Sequence, residues 1–211
     1  MPVDLVAELA AARLLAVIRG SDTSAAIAAG TALLAEGVRA VEVALTTPGA
    51  LDAVAAIRAA APHGSLVGAG TVLTGDDVAD VVAAGAQFAV TPAVAESVSA
   101  AVRRDLPVLA GALSPTEAYT AHRLGAAAIK LFPASLGGPR YLKALRDPFP
   151  DLAFVAVGGV SLADVPGYLA AGAIAVGVGG PLIGSAASDP ADLGGLRERA
   201  RAYLAAVAVP K

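Results

Sequence analysis

A glycine followed by a short apolar run recurs along the chain, as AEGVRAVEV, AAGAQFAVT, RLGAAAIKL and AAGAIAVGV. These glycines, Gly37, Gly85, Gly125 and Gly172, are spaced by 48, 40 and 47 residues. Each closes an alanine-rich stretch with helical patterning, where glycine takes the left-handed conformation that ends a helix, and each precedes a strand-length run. Four more apolar runs follow polar or proline breaks: LLAVI from Leu14, LVGAG from Leu66, PVLAG from Pro107 and AFVAV from Ala153. Eight strands result. Thr23, Ser114-Pro115-Thr116-Glu117 and Ser161 read as helix starts between them. Short strands apolar on both faces belong to a parallel sheet covered by helices. Eight such strands alternating with eight helices predict an α/β fold, a (β/α)8 barrel in one domain over residues 1–211, with an open doubly wound sheet as the competing topology.

Composition narrows the function. The 211 residues are 56% hydrophobic and 16% charged, which excludes disorder. The absence of cysteine removes disulfides, thiol catalysis and cysteine-bound metals. A net charge of −3 without a basic run predicts no nucleic-acid partner and no anionic membrane partner. The N-terminus shows no signal-peptide pattern, so the expected location is cytoplasmic. Val165 to Ser188 carries no charge, but its six glycines and Pro181 argue against a membrane span.

Barrel enzymes collect their chemistry at the C-terminal ends of the strands. The polar residues expected there are Arg19, Glu42, Thr71, Thr91 and Lys130, with Pro92 beside them. The chain has three lysines; Lys143 sits in the charged segment RYLKALRD and Lys211 at the end, whereas Lys130 lies inside AAAIKLFPA. Period two places Ala128, Lys130 and Phe132 on the face toward the lumen and Ile129 and Leu131 on the face toward the helices. By the same alternation Glu42 shares its face with Ala44 and Thr46. A lysine and a carboxylate facing one lumen form either a buried ion pair or a catalytic pair. Catalysis requires a neutral amine, hence a pKa depressed by burial, with the carboxylate a water away as proton carrier. The pairs Gly158-Gly159 and Gly179-Gly180 end strands seven and eight, where barrels hold phosphate on backbone N–H groups. His63, in a loop, and His122, on a helix, are expected at the surface, so neither a metal nor a cofactor is called for.

The segments LLAVIRG, VEVALTTP, LVGAGTVL, QFAVTPA, IKLFPAS and VAVGGV resemble, in order and spacing, the 2-keto-3-deoxy-6-phosphogluconate (KDPG) aldolase family, which also includes 6-phosphogalactonate and 4-hydroxy-2-oxoglutarate aldolases. The resemblance runs from about Leu14 to Gly184, and KLFPASLGGPRYLKAL is its most specific part. It implies a class I lyase that releases pyruvate, with Lys130 as Schiff-base lysine and Glu42 as proton shuttle. Arg19 and Thr71 would bind the carboxylate and ketone end of the substrate. Pro92 and Phe132 would line the pyruvate pocket, Val157 would stand beside the substrate, and Gly158, Gly159, Gly179 and Gly180 would hold its phosphate. A homotrimer is implied as well. Three positions depart from common family patterns: Thr46 where many members have arginine, Val157 where many have threonine, and Gly180-Pro181 where a serine often stands. Two other readings remain at this stage, an isomerase or epimerase barrel using Glu42 as base, and a binding barrel without catalysis.

Overall fold

The computed structural model describes residues 3–208. Its eight strands close into a parallel barrel in chain order, each hydrogen-bonded to the next and β8 to β1. They are β1 (Leu14–Ile18), β2 (Ala40–Ala44), β3 (Leu66–Gly70), β4 (Ala89–Val90), β5 (Val108–Ala112), β6 (Ala128–Leu131), β7 (Phe154–Val157) and β8 (Ala175–Val178). The open-sheet alternative is excluded by this closure. Outside lie α2 (Thr23–Ala35), α3 (Ala50–Ala60), α4 (Gly75–Ala83), α5 (Glu96–Val102), α6 (Pro115–Arg123), α7 (Gly138–Arg146), α8 (Val165–Ala170) and α10 (Leu193–Ala208). Two further helices were not expected: α1 (Leu5–Ala12) before the first strand, and α9 (Gly180–Ile183), a single turn after the eighth. No described helix is long and apolar enough to cross a membrane.

The recurrent glycines terminate helices as their chemistry requires. Gly37, Gly85, Gly125 and Gly172 have φ of 97, 83, 94 and 97°. At each, the N–H of the following residue reaches back five positions while the glycine N–H reaches back three, as in Val38 to Leu33 at 3.0 Å and Gly37 to Leu34 at 3.1 Å. The end of α5 makes the same pair of bonds with Asp105 at the left-handed position, φ 53°. A side chain there bears a conformational cost that glycine escapes. Asp105→Gly is therefore expected to stabilise the protein by about 0.5–1 kcal/mol in urea unfolding; a loss of stability would mean that the carboxylate does more than occupy the turn.

Of the expected helix starts, Ser114 caps α6 reciprocally with Glu117, whereas Ser161, whose N–H donates to the Asp164 carboxylate at 3.0 Å, opens a short 3-10 turn that leads into α8. The start at Thr23 is shifted: Asp22 is the cap, accepting from the Ala25 N–H at 2.7 Å, and the Thr23 hydroxyl instead donates to the Pro48 carbonyl.

The core divides as the strand alternation predicts. Ile129, Leu131, Val41 and Val43 belong to the apolar layer between strands and helices, whereas Leu15, Phe88, Leu109, Ala128 and Val155 fill the lumen. Leu5 and Leu9 of α1 join the lumen cluster, fully buried. Helix α1 thus seals one end of the barrel, each leucine contributing about 1.5–3 kcal/mol by burial, and the opposite mouth is left for chemistry.

Candidate active site

At the C-terminal mouth lies a cavity of about 340 Å³. Arg19, Thr71, Pro92, Lys130, Phe132, Val157, Gly158, Gly159, Gly179 and Gly180 all line it. Of the residues singled out from the sequence for the site, two are absent from this lining: Thr91, which is fully buried, and Glu42, which lies beneath. Glu42 is 1% exposed, and its Oε1 packs against Gly70, where it would have to move to admit a side chain. Thr46 does not continue the inward face of β2; the strand ends at Ala44 and Thr46 turns out to solvent. His63, His122 and Lys143 are exposed, and Lys211 lies outside the described residues.

Lys130 is 7% exposed, and its ammonium position is 5.0 Å from the centre of the Phe132 ring. Burial lowers the pKa of the amine from the usual lysine value; Glu42 opposes this, and the nearby Arg19 charge pushes the same way as burial. Burial likewise pushes the Glu42 carboxyl up, against the attraction of Lys130 and Arg19. None of the ion pairs among the described residues joins Lys130 to Glu42. One Glu42 oxygen, Oε2, is buried with no hydrogen-bond partner. Desolvation is the largest influence on both groups and favours the neutral amine and the neutral carboxyl.

The walls are set by backbone. Thr71 has φ 63°, a strained conformation for a β-branched residue, which holds it at the end of β3 facing the cavity. Thr91 is fully buried and its hydroxyl is already used: it donates to the Ala93 carbonyl at 2.6 Å and accepts from the Gly111 N–H at 3.1 Å, extending the β4–β5 pairing to where Pro92 enters the cavity. Gly158 and Gly159 have φ of 92 and 72°, and a side chain on either would strike Phe132 or Ser135. Val157 packs over Gly177, its register partner on β8. Val17, Val160, Gly177, Pro181, Ile183 and Gly184 complete the lining and were not anticipated. None of them is polar or part of a glycine pair at a strand end, the two features that marked the mouth in the sequence.

A desolvated lysine and a buried carboxyl lie at one barrel mouth, under a wall of bare backbone, and these are the groups that amine catalysis on a carbonyl compound requires. The family model described as KDPG and KHG aldolase matches residues 5–196. The 2-dehydro-3-deoxy-6-phosphogalactonate aldolase of Escherichia coli strain K12 is 38% identical over 171 residues, 80% of this chain and 83% of that protein. A solved KDPG aldolase from Legionella pneumophila, with pyruvate captured as a covalent carbinolamine intermediate, superimposes with a TM-score of 0.84 at 31% identity, covering 92% of this chain and 95% of the other. A designed cube-shaped protein cage made by fusing symmetric oligomeric domains matches with a TM-score of 0.85 at 34% identity, over 92% of this chain and 71% of the cage chain. The chain belongs to the KDPG and KHG aldolase family. It is a class I aldolase, a carbon–carbon lyase.

Proposed function

We propose that this aldolase reversibly cleaves a 2-keto-3-deoxy-6-phospho sugar acid of the gluconate or galactonate series to pyruvate and glyceraldehyde 3-phosphate. The observation that carries this reading is the buried Lys130 amine, without an ion pair among the described residues, opening into a cavity whose far wall is glycine backbone. The Nζ of Lys130 adds to the C2 carbonyl of the substrate to give a carbinolamine, which loses water to an iminium. Glu42, through a water, takes the proton of the C4 hydroxyl as the C3–C4 bond breaks; the bonding electrons move into the iminium and leave an enamine. The aldehyde departs, Glu42 returns the proton to C3, and water releases pyruvate and free Lys130. Arg19, the one arginine at the cavity, grips the substrate carboxylate with Thr71; Pro92 and Phe132 hold the pyruvate portion; Gly158, Gly159, Gly179 and Gly180 receive the phosphate. An isomerase that used Glu42 alone would have no need of a buried lysine. 4-Hydroxy-2-oxoglutarate, shorter and without phosphate, is a secondary substrate. The assembly we expect is a cytoplasmic homotrimer, and the likeness to a chain built from symmetric oligomeric domains supports an oligomer. Pyruvate release from each purified phosphosugar acid tests the reaction; absence of pyruvate from both overturns it.

Val157 bears on which epimer is preferred. The gluconate and galactonate substrates differ at C4, whose hydroxyl loses its proton during cleavage. A threonine at this position can hydrogen-bond one configuration, whereas valine has nearly the same shape and no hydroxyl. Wild type is expected to accept both epimers or to lean toward galactonate, and Val157→Thr to change the ratio of kcat/KM by about five- to tenfold, the worth of one neutral hydrogen bond. A wild-type preference for gluconate beyond about a hundredfold would place the selectivity elsewhere.

A further inference from the structure

One ion pair stands directly behind the phosphate wall. Arg199, on α10, points its guanidinium at the loop that leaves β8. Its Nε donates to the Leu182 carbonyl at 2.8 Å and its Nη2 to the Ile183 carbonyl at 2.9 Å. The same group pairs with Asp192 at 2.7 Å, with a second bond of 3.3 Å. Asp192 in turn accepts from the Ser185 N–H at 3.0 Å and the Ser185 hydroxyl at 3.2 Å. The hydrogen bond from Arg199 holds the Asp192 carboxyl below its usual range, keeping it ionised. Space has been left for the pair: Gly184, with φ 59°, and Gly195 both lie where any side chain would collide with Arg199 and Asp192.

The segment so gripped is part of the cavity wall. Gly179, Gly180, Pro181, Ile183 and Gly184 line it, and Arg199 holds the carbonyls of two residues in that stretch. Just beyond, the Ser188 hydroxyl accepts from the Ser21 N–H at 2.9 Å, and Gly20 packs on Ala187 too tightly for a side chain. The loop is thereby tied to the residues that follow Arg19. Leu182 and Ile183 anchor the turn in the core, but Gly179, Gly180 and Gly184 have no side chains of their own, so the grip of Arg199 on the neighbouring carbonyls helps to set where their N–H groups point. Arg199 supplies a planar fork with donors for two carbonyls and a carboxylate together, which lysine does not.

We propose that Arg199, with Asp192, is a positioning residue for the phosphate-binding wall, and therefore sets affinity for the phosphorylated end of the substrate without taking part in the amine chemistry. This rests on the reading of the glycine wall as the phosphate site. Arg199→Met keeps the apolar stem and removes the fork. In that variant KM for the phosphorylated keto acid is expected to rise about ten- to a hundredfold, the effect of a displacement of about 1 Å in a positioned group. The exchange of pyruvate methyl protons for deuterium, which needs Lys130 and Glu42 but no phosphate, is expected to stay within about twofold. Arg199→Lys should fall between wild type and Arg199→Met. An unchanged KM overturns the proposal. So does a parallel fall of cleavage and proton exchange, which would make Arg199 a support of the whole fold. Inorganic phosphate tested against the wild-type enzyme separates the two claims: failure to inhibit cleavage competitively would remove the phosphate reading itself, whatever Arg199 does.

Discussion

Lys130→Ala is expected to lower cleavage by at least about four orders of magnitude, because a covalent route disappears when its only nucleophile is removed. The loss will not come from unfolding. Lys130 is buried in the lumen wall, where its charged form is disfavoured, so an apolar residue of similar length relieves strain on the folded state. Lys130→Met tests this separately. Because the folded pKa of Lys130 lies below the unfolded one, the unfolded chain holds the proton more tightly and Lys130 costs stability below its unfolded pKa. The methionine variant is expected to melt above wild type at pH 6, with a smaller advantage at pH 9. In wild type, kcat/KM should fall as pH drops through the lowered pKa of Lys130 and the amine becomes protonated. A variant that keeps measurable cleavage would transfer the chemistry to another group.

Glu42→Gln separates proton transfer from imine formation. The amine is intact, so the imine with pyruvate still forms, but cleavage slows by about two to four orders of magnitude, the usual contribution of a positioned acid–base group. Stability should move in the opposite direction. Burial raises the Glu42 pKa in the folded protein, so its stabilising contribution is present below the unfolded pKa and is lost as pH rises through the folded one. Glutamine has no such transition. The melting temperature of the variant relative to wild type is therefore expected to increase from pH 4.5 to pH 8. Full activity would leave Glu42 a structural residue, and a relative melting temperature that fell with pH would show the carboxylate to be stabilised where it sits.

The sequence carried the barrel because its signals are backbone signals. Gly37, Gly85, Gly125 and Gly172 mark four left-handed helix ends that glycine alone enters cheaply, and all four are found so. Asp105 makes the same turn and was invisible, since aspartate announces nothing about φ. Lys130 was legible through contrast, one ammonium among alanines and isoleucines, and alternation over β6 fixed its direction. The same alternation failed at Thr46, because a pleat predicts facing only while the strand lasts and β2 ends two residues earlier. Helix α1 was missed as a plug: its leucines find their partners in the lumen, far along the chain, and nothing local shows it. Arg199 was hidden for a similar reason. It sits in the charged run RERARA, which reads as a solvated helix face, and its partners are carbonyls that have no sequence identity.

Whether one buried lysine forms the imine is decided by reducing the enzyme with borohydride in the presence of pyruvate and mapping the modified peptide. A single reduced pyruvyl group is expected on Lys130, present also in Glu42→Gln and absent from Lys130→Ala. Labelling at Lys143 or Lys211, or no pyruvate-dependent labelling of the active enzyme, would contradict it.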